Sequence, residues 1–185
     1  IGTLGGGNHF IEVAENDGYK YLIIHSGSRN FGLQIAKYYQ KMAVDYHLKG
    51  DDEYLLKRQK LVDELKAAGR QAEISDKIKT LNKVKIPSHL AYLENELRDD
   101  YLNDMRIAQK YATLSRETMA EEIIKHLGVT QYTKFETIHN YIGDDNIIRK
   151  GAISAYEGET VLIPMNMRDG SLLCVGKGNP EWNNS

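Results

Sequence analysis

The feature that most limits how this chain can fold is a change of hydrophobic period that happens twice. Residues 1–29 and 131–185 carry strand patterning, and residues 31–127 between them carry helical patterning. In "HFIEVA", His9, Ile11 and Val13 share one face and Phe10, Glu12 and Ala14 the other, which is the period-2 signature of a strand. "NDG" marks a turn, "YKYLIIH" a second strand, and "SGSRNFG" a loop. In the middle, "LQIAKYYQKMAVDYHL" has apolar residues at helical spacing, and "DDEYLLKRQKLVDELKAAG" opens on acidic residues and stops at Gly69. "DKIKTLNKVKIP" is broken by Pro87, and its lysines read as a solvated face. The strongest helical stretch runs from "SHLAYLENEL" to "EEIIKHLG", with a stripe through Leu97, Tyr101, Met105, Ala108, Ala112 and Leu114. Strands return in "YTKFETIHNYI", "NIIRKGAISAY", "ETVLIP" and "SLLCVG". The expected class is α+β: a β-sheet core built from residues 1–29 and 131–185, with a helical insertion over 31–128, in one partial domain.

Bulk properties narrow the classes. The chain has 185 residues, a formal charge of −2 and 41% apolar residues, which suits a globular domain with its own core. No run approaches the ~18 apolar residues of a membrane span. The single Cys174 excludes an internal disulfide, and no signal peptide is visible, so a cytoplasmic setting without membrane attachment is expected. The near-neutral charge does not advertise a nucleic-acid binder, so any RNA contact must be concentrated in one cleft. The chain opens at Ile1 inside a motif and ends on "GNPEWNNS", and it is expected to be an internal piece of a longer protein.

"LGGGNHFIEV" poses the first chemical question. Its glycines match neither G-x-G-x-x-G nor G-x-x-x-x-G-K-S/T, and they deliver Asn8, His9 and Glu12, which are ligand types rather than a phosphate loop. Reading Asn16-Asp17-Gly18 as a three-residue turn pairs Glu15 with Tyr19 and sets His9 opposite His25. Reading Gly143–Asn146 as a four-residue loop sets His139 opposite Lys150. Neutral imidazoles donate lone pairs to a metal, and a His beside a Lys makes sense if an anion lies between them. His9, His25 and His139 are therefore candidate metal ligands, and Arg29 and Lys150 candidate phosphate-binding groups. Three histidines do not choose among Zn, Mn, Fe, Co and Ni. His47, His89 and His126, in helical or connecting segments, read as structural, and Cys174 as a small core hydrophobe.

"GTLGGGNHFIEV", "HSGSRNFG", "HNYI", "RKGA" and "VLIPMNMRDGSLLCVGKGNPEW", in that order, resemble the RtcB family of RNA-splicing ligases. The resemblance implies an RtcB-like fold and an enzyme that joins RNA 3′-phosphate or 2′,3′-cyclic phosphate ends to 5′-hydroxyl ends. It implies GTP and Mn²⁺ as cofactors, a histidine-guanylate intermediate, and room for an archease-like activator. By the same resemblance, His9, His25 and His139 are the metal histidines, and Asn8, Glu12, Asn140, Asn166 and Ser171 match GTP-binding positions. Arg29 and Lys150 match positions near phosphates. The family's D-x-x-C metal motif and its P-H-G-A-G-R segment with the guanylylated histidine lie outside these residues, so the chain alone is expected to be inactive. "IPMNMRDGS" departs from a G-S-M-G-type sequence and points to a divergent branch. The alternatives are a metal-dependent cyclic phosphoesterase and a non-catalytic RNA-end binding protein.

Overall fold

The computed structural model describes residues 1–81 and 86–185, with the side chains of 48–52 excepted. Asn82–Lys85, the end of the lysine-rich stretch, lie outside the described residues. In chain order the elements are β1 (Phe10–Asn16), β2 (Tyr19–His25), α1 (Arg29–Ala67), α2 (Ile74–Lys79), α3 (Asn95–His126), β3 (Tyr141–Ile142), β4 (Ile148–Arg149), β5 (Thr160–Asn166) and β6 (Gly170–Val175). Helix and strand are thus mixed, and the chain divides into two compact units, Gly27–Thr113 and Ile1–Ser26 with Leu114–Ser185.

The unit Gly27–Thr113 is helical. Where the sequence pattern predicts two helices over 33–69, the structure has one, α1, of 39 residues, running on through Gly50. A mid-helix glycine costs about 1 kcal/mol relative to alanine, which the helix formers on either side outweigh. Tyr39, Ala43, Ala108 and Ala112 are buried, and the small alanines let α1 and α3 approach. Phe31 lies 5.4 Å from Tyr111 and Tyr39 lies 5.2 Å from Tyr101, so the partners descend α3 as they climb α1 and the helices run antiparallel. The Tyr39 hydroxyl donates to Asp104 Oδ2 at 2.8 Å. Burial first, and then that carboxylate, push the phenol up to about 12. His47 stacks 4.5 Å from Tyr92 and bonds its backbone, which is the structural role its sequence position predicted.

The other unit holds the strands. They do not form one sheet: β1–β2, β3–β4 and β5–β6 are three separate antiparallel ribbons. Residues 132–140 and 150–156, expected as strand, carry none. Both registers expected from the turns are off by one residue. Asn16 pairs with Tyr19, because Asp17 (φ +51°) and Gly18 (φ +78°) form a two-residue turn with both central residues left-handed. Phe10, not His9, therefore faces His25. In the second ribbon Tyr141 pairs with Arg149 and Ile142 with Ile148, so the loop takes up one more residue and Lys150 does not face His139. Left-handed Asn146 (φ +59°) accommodates the extra residue, while the Asp145 carboxylate accepts from Ile147 N at 3.0 Å.

One buried cation organises that loop. Arg149 is 2% exposed. It donates twice to Asp145, to Ser185 Oγ at 2.9 Å and to the Asn183 carbonyl at 3.0 Å, and its guanidinium lies near the Tyr141 and Tyr156 rings. The Arg149 hydrogen bond, followed by those from Tyr156 and Ile147 N, holds the Asp145 carboxyl well below its ordinary value of 3.8. The stabilisation is present above 3.8 and lost as pH falls toward the native value. Denaturant midpoints measured from neutral pH down to pH ~2 should therefore fall below pH ~4 in the parent chain. In Asp145→Asn they should start lower and lose most of that acid dependence.

Candidate functional site

His9 stands just before β1, at the end of the glycine run. Gly5 (φ +88°) and Gly7 (φ +80°) are left-handed, and a Cβ on Gly6 or Gly7 would meet no protein atom within 4 Å. The glycines serve a backbone bend rather than tight packing. The bend returns the Leu4 carbonyl to His9 Nδ1 at 2.9 Å, and Ser26 Oγ donates to the same carbonyl at 3.0 Å. A carbonyl only accepts, so His9 Nδ1 carries a proton at this contact.

His25 ends β2 on the face that carries Phe10, Glu12 and Ile23. Its ring centroid is 5.2 Å from Phe10, 6.0 Å from His9 and 5.3 Å from His139. Its Nδ1 is buried and, among the described residues, makes no hydrogen bond. Burial foremost, then His139, His9 and Arg116, lower its pKa from 6.5, so the ring is neutral at physiological pH. His139 Nε2 lies 3.2 Å from His25 Nε2, although 114 residues separate the two.

Arg116, on α3, makes that meeting possible. Its Nη1 donates to the Ser26 carbonyl at 2.6 Å, directly after His25. Its Nε donates to Glu136 Oε1 at 2.9 Å, three residues before His139, and its Nη2 pairs with the same carboxylate. Next to it, Lys134 pairs with Glu117 at 2.6 Å. Residues 134–136 are thus strapped to the helix, and the straps hold His139 beside the end of β2. Sequence reasoning missed Arg116, and no local signal marks it, because its partners lie 90 and 20 residues away.

The three histidines predicted as ligands therefore draw together, though by a route other than the one expected. His9 reaches His25 from outside the pleat instead of across the ladder. Two imidazole nitrogens sharing a cation at ~2.1 Å would sit roughly 3–3.4 Å apart, which is the range of the His25–His139 contact. A direct N–H···N bond has the same length. Among the described residues no group of three or more His, Cys, Asp or Glu is arranged as a ready metal site. The donor set fits a cation in part: His25 and His139 bring their Nε2 atoms within 3.2 Å of each other, and the His9 ring lies 6.0 Å from that of His25.

The other predicted residues are spread more widely. Asn140 touches the site: its Nδ2 is 2.8 Å from His139 Nδ1 and its Oδ1 accepts from Gly151 N at 2.7 Å. Glu12 is half-buried on the His25 face, while Asn8 and Lys150 are exposed. Arg29 begins α1 in the helical unit, with a left-handed φ of +59°. Asn166 is occupied with its own turn, its Oδ1 accepting from Arg168 N and Asp169 N at 2.9 Å each. Ser171 Oγ is buried and makes no hydrogen bond among the described residues.

The family model described as tRNA-splicing ligase RtcB matches residues 1–185. The chain belongs to the RtcB family. Among its relatives is a protein of Escherichia coli K12 named RNA-splicing ligase RtcB, 30% identical over 203 residues. Another, RNA-splicing ligase RtcB1 of Escherichia coli ATCC 25922, is 31% identical over the same length. In both cases the match covers 98% of this chain but 42% of the RtcB relative. No solved structure matches the chain significantly. Among the described residues no helix is long and apolar enough to cross a membrane. For this RtcB-family chain, Arg116→Ala should strand the Ser26 carbonyl and the Glu136 carboxylate, lowering stability by about 2–3 kcal/mol in urea denaturation.

Proposed function

We propose that the full-length protein is an RNA ligase that joins 3′-phosphate or 2′,3′-cyclic phosphate ends to 5′-hydroxyl ends, using GTP and Mn²⁺ through a histidine-guanylate. The observation that carries this reading is the approach of His25 and His139, 114 residues apart, to 3.2 Å between their Nε2 atoms. Family membership and the names of both relatives support it. The ordered motifs and an RtcB-like fold belong to the same proposal.

In this proposal His9, His25 and His139 hold the cation, which when bound neutralises phosphate charge and polarises the reacting oxygens. The chain's own residues do the rest. The Leu4 carbonyl holds the His9 ring through Nδ1. Burial keeps His25 uncharged, so it does not repel a divalent ion. Asn8, Glu12, Asn140, Asn166 and Ser171 are assigned to the nucleotide, and Arg29 and Lys150 to phosphates. The open space at Gly6 and Gly7 leaves the backbone N–H groups approachable by a nucleotide. An archease-like activator, and a cytoplasmic setting in which tRNA splicing or RNA repair would occur, complete the reading.

The test uses the full-length protein with radiolabelled GTP, Mn²⁺ and RNA bearing the stated ends. Covalent label on the protein and joined RNA are expected, and His25→Ala should abolish both. Phosphate release from cyclic ends without protein labelling would overturn the ligase reading in favour of a phosphoesterase.

A further inference from the structure

We infer that Arg149 is a positioning residue: from its buried seat it fixes the backbone that presents the neighbouring Lys150 to a phosphate. The inference rests on the assignment of Lys150 to phosphates proposed above. β3 and β4 pair over only two residues each, and a two-stranded ribbon of that length has little stability of its own in water. Something other than the ladder must therefore hold β4 in register. Arg149 is placed to do so. Its guanidinium, 2% exposed, donates to Asp145 Oδ1 at 3.2 Å and to Oδ2 at 2.8 Å, which ties β4 to the loop before it. It also donates to Ser185 Oγ at 2.9 Å and to the Asn183 carbonyl at 3.0 Å. The Tyr156 hydroxyl donates to Asp145 Oδ2 at 2.7 Å, so residues from both sides of β4 meet on one carboxylate. Gly143 makes room for the pair: a Cβ there would collide with Asp145 Oδ1 and stand 3.0 Å from Arg149 Nη1.

Lys150 lies between this knot and the candidate site. Arg149 is buried, Lys150 is exposed, and Gly151 turns the chain at once with a left-handed φ of +70°. Gly151 N donates to Asn140 Oδ1 at 2.7 Å, and Asn140 directly follows His139. The Lys150 backbone is thus held on one side by the buried guanidinium and on the other by a bond to the residue next to His139. Lysine is a point charge on a flexible four-carbon stem, so where its charge can reach depends on where its backbone is held. A backbone held in advance lowers the ordering cost of bringing the ammonium to a phosphate. An ammonium at position 149 would lack the planar fork that here spans the Asp145 carboxylate and the Asn183 carbonyl together.

The experiment uses the full-length protein. Separate calorimetric titrations give dissociation constants for GTP and for RNA ending in a 3′-phosphate. Lys150→Ala should weaken one of the two roughly tenfold, as for the loss of one charged hydrogen bond. Arg149→Gln should weaken the same one comparably. The double variant should bind no worse than Lys150→Ala alone, because a residue that acts through Lys150 then has nothing left to act on. Amide hydrogen exchange supplies a readout without ligand: Gly151 N–H should lose protection in Arg149→Gln and keep it in Lys150→Ala. Where Arg149→Gln does not fold, Gly143→Ala, which alters no polar group, carries both measurements. Penalties that multiply in the double variant, or a Gly151 amide as protected as in wild type, would overturn the inference and leave the phosphate assignment standing. Affinities for both ligands unchanged in Lys150→Ala would overturn the phosphate assignment, and the inference with it.

Discussion

Arg116 is the group on which the candidate site depends. A guanidinium offers five donors in a rigid fork, and here the fork spans a backbone carbonyl at the end of β2 and a carboxylate on an irregular segment. Neither of those pieces of chain has any local reason to approach the other. The three strand pairs are separate ribbons, so no sheet ladder carries His139 to His25. The connection runs through the helix. α3 acts as a post, the Lys134–Glu117 and Arg116–Glu136 pairs tie residues 134–136 to it, and Arg116 also reaches the Ser26 carbonyl. The site is thus assembled by charge-assisted bonds to a helix face, and of the three imidazoles only that of His25 stands on a strand.

Around that post the polar groups are arranged so that each sets the state of the next. The Leu4 carbonyl receives both the Ser26 hydroxyl and His9 Nδ1, which fixes one ring. Gly151 N donates to the Asn140 amide oxygen, and the other end of that amide lies 2.8 Å from His139 Nδ1. Burial among its neighbours leaves His25 neutral between them. Beyond the site, Arg149 works in the same manner, joining Asp145, Ser185 and Asn183 so that the β3–β4 loop and the chain end share one cation.

Much of this was legible in the sequence, and the failures have physical causes. The change from period 2 to period 3.6 and back located the helices and most of the strands. The pattern separates helical runs at 33–48 and 51–69, whereas α1 continues through Gly50. "NDG" and "GDDN" were recognised as turns, but one residue of turn length decides which side chain faces which, and residue types alone did not supply it. His9, His25 and His139 do draw together, but not by the cross-strand pairing expected, which the registers do not support. What ties the His25 and His139 segments is Arg116, whose partners lie 90 and 20 residues away, while His9 is held by the Leu4 carbonyl. The Asn166 side chain, expected at the nucleotide from its motif, also closes the β5–β6 turn.

The β5–β6 ribbon has a consequence of its own. Ile163 and Leu172 stand half-exposed on one side, Leu173 and Val175 on the other, and among the described residues no third strand joins either edge. A two-stranded ribbon with exposed hydrocarbon on both sides is a template for a neighbouring molecule. Residues 1–185 handled by themselves should accordingly be prone to self-association, and a lysine placed at Leu172 would be a direct way to keep such a preparation dispersed.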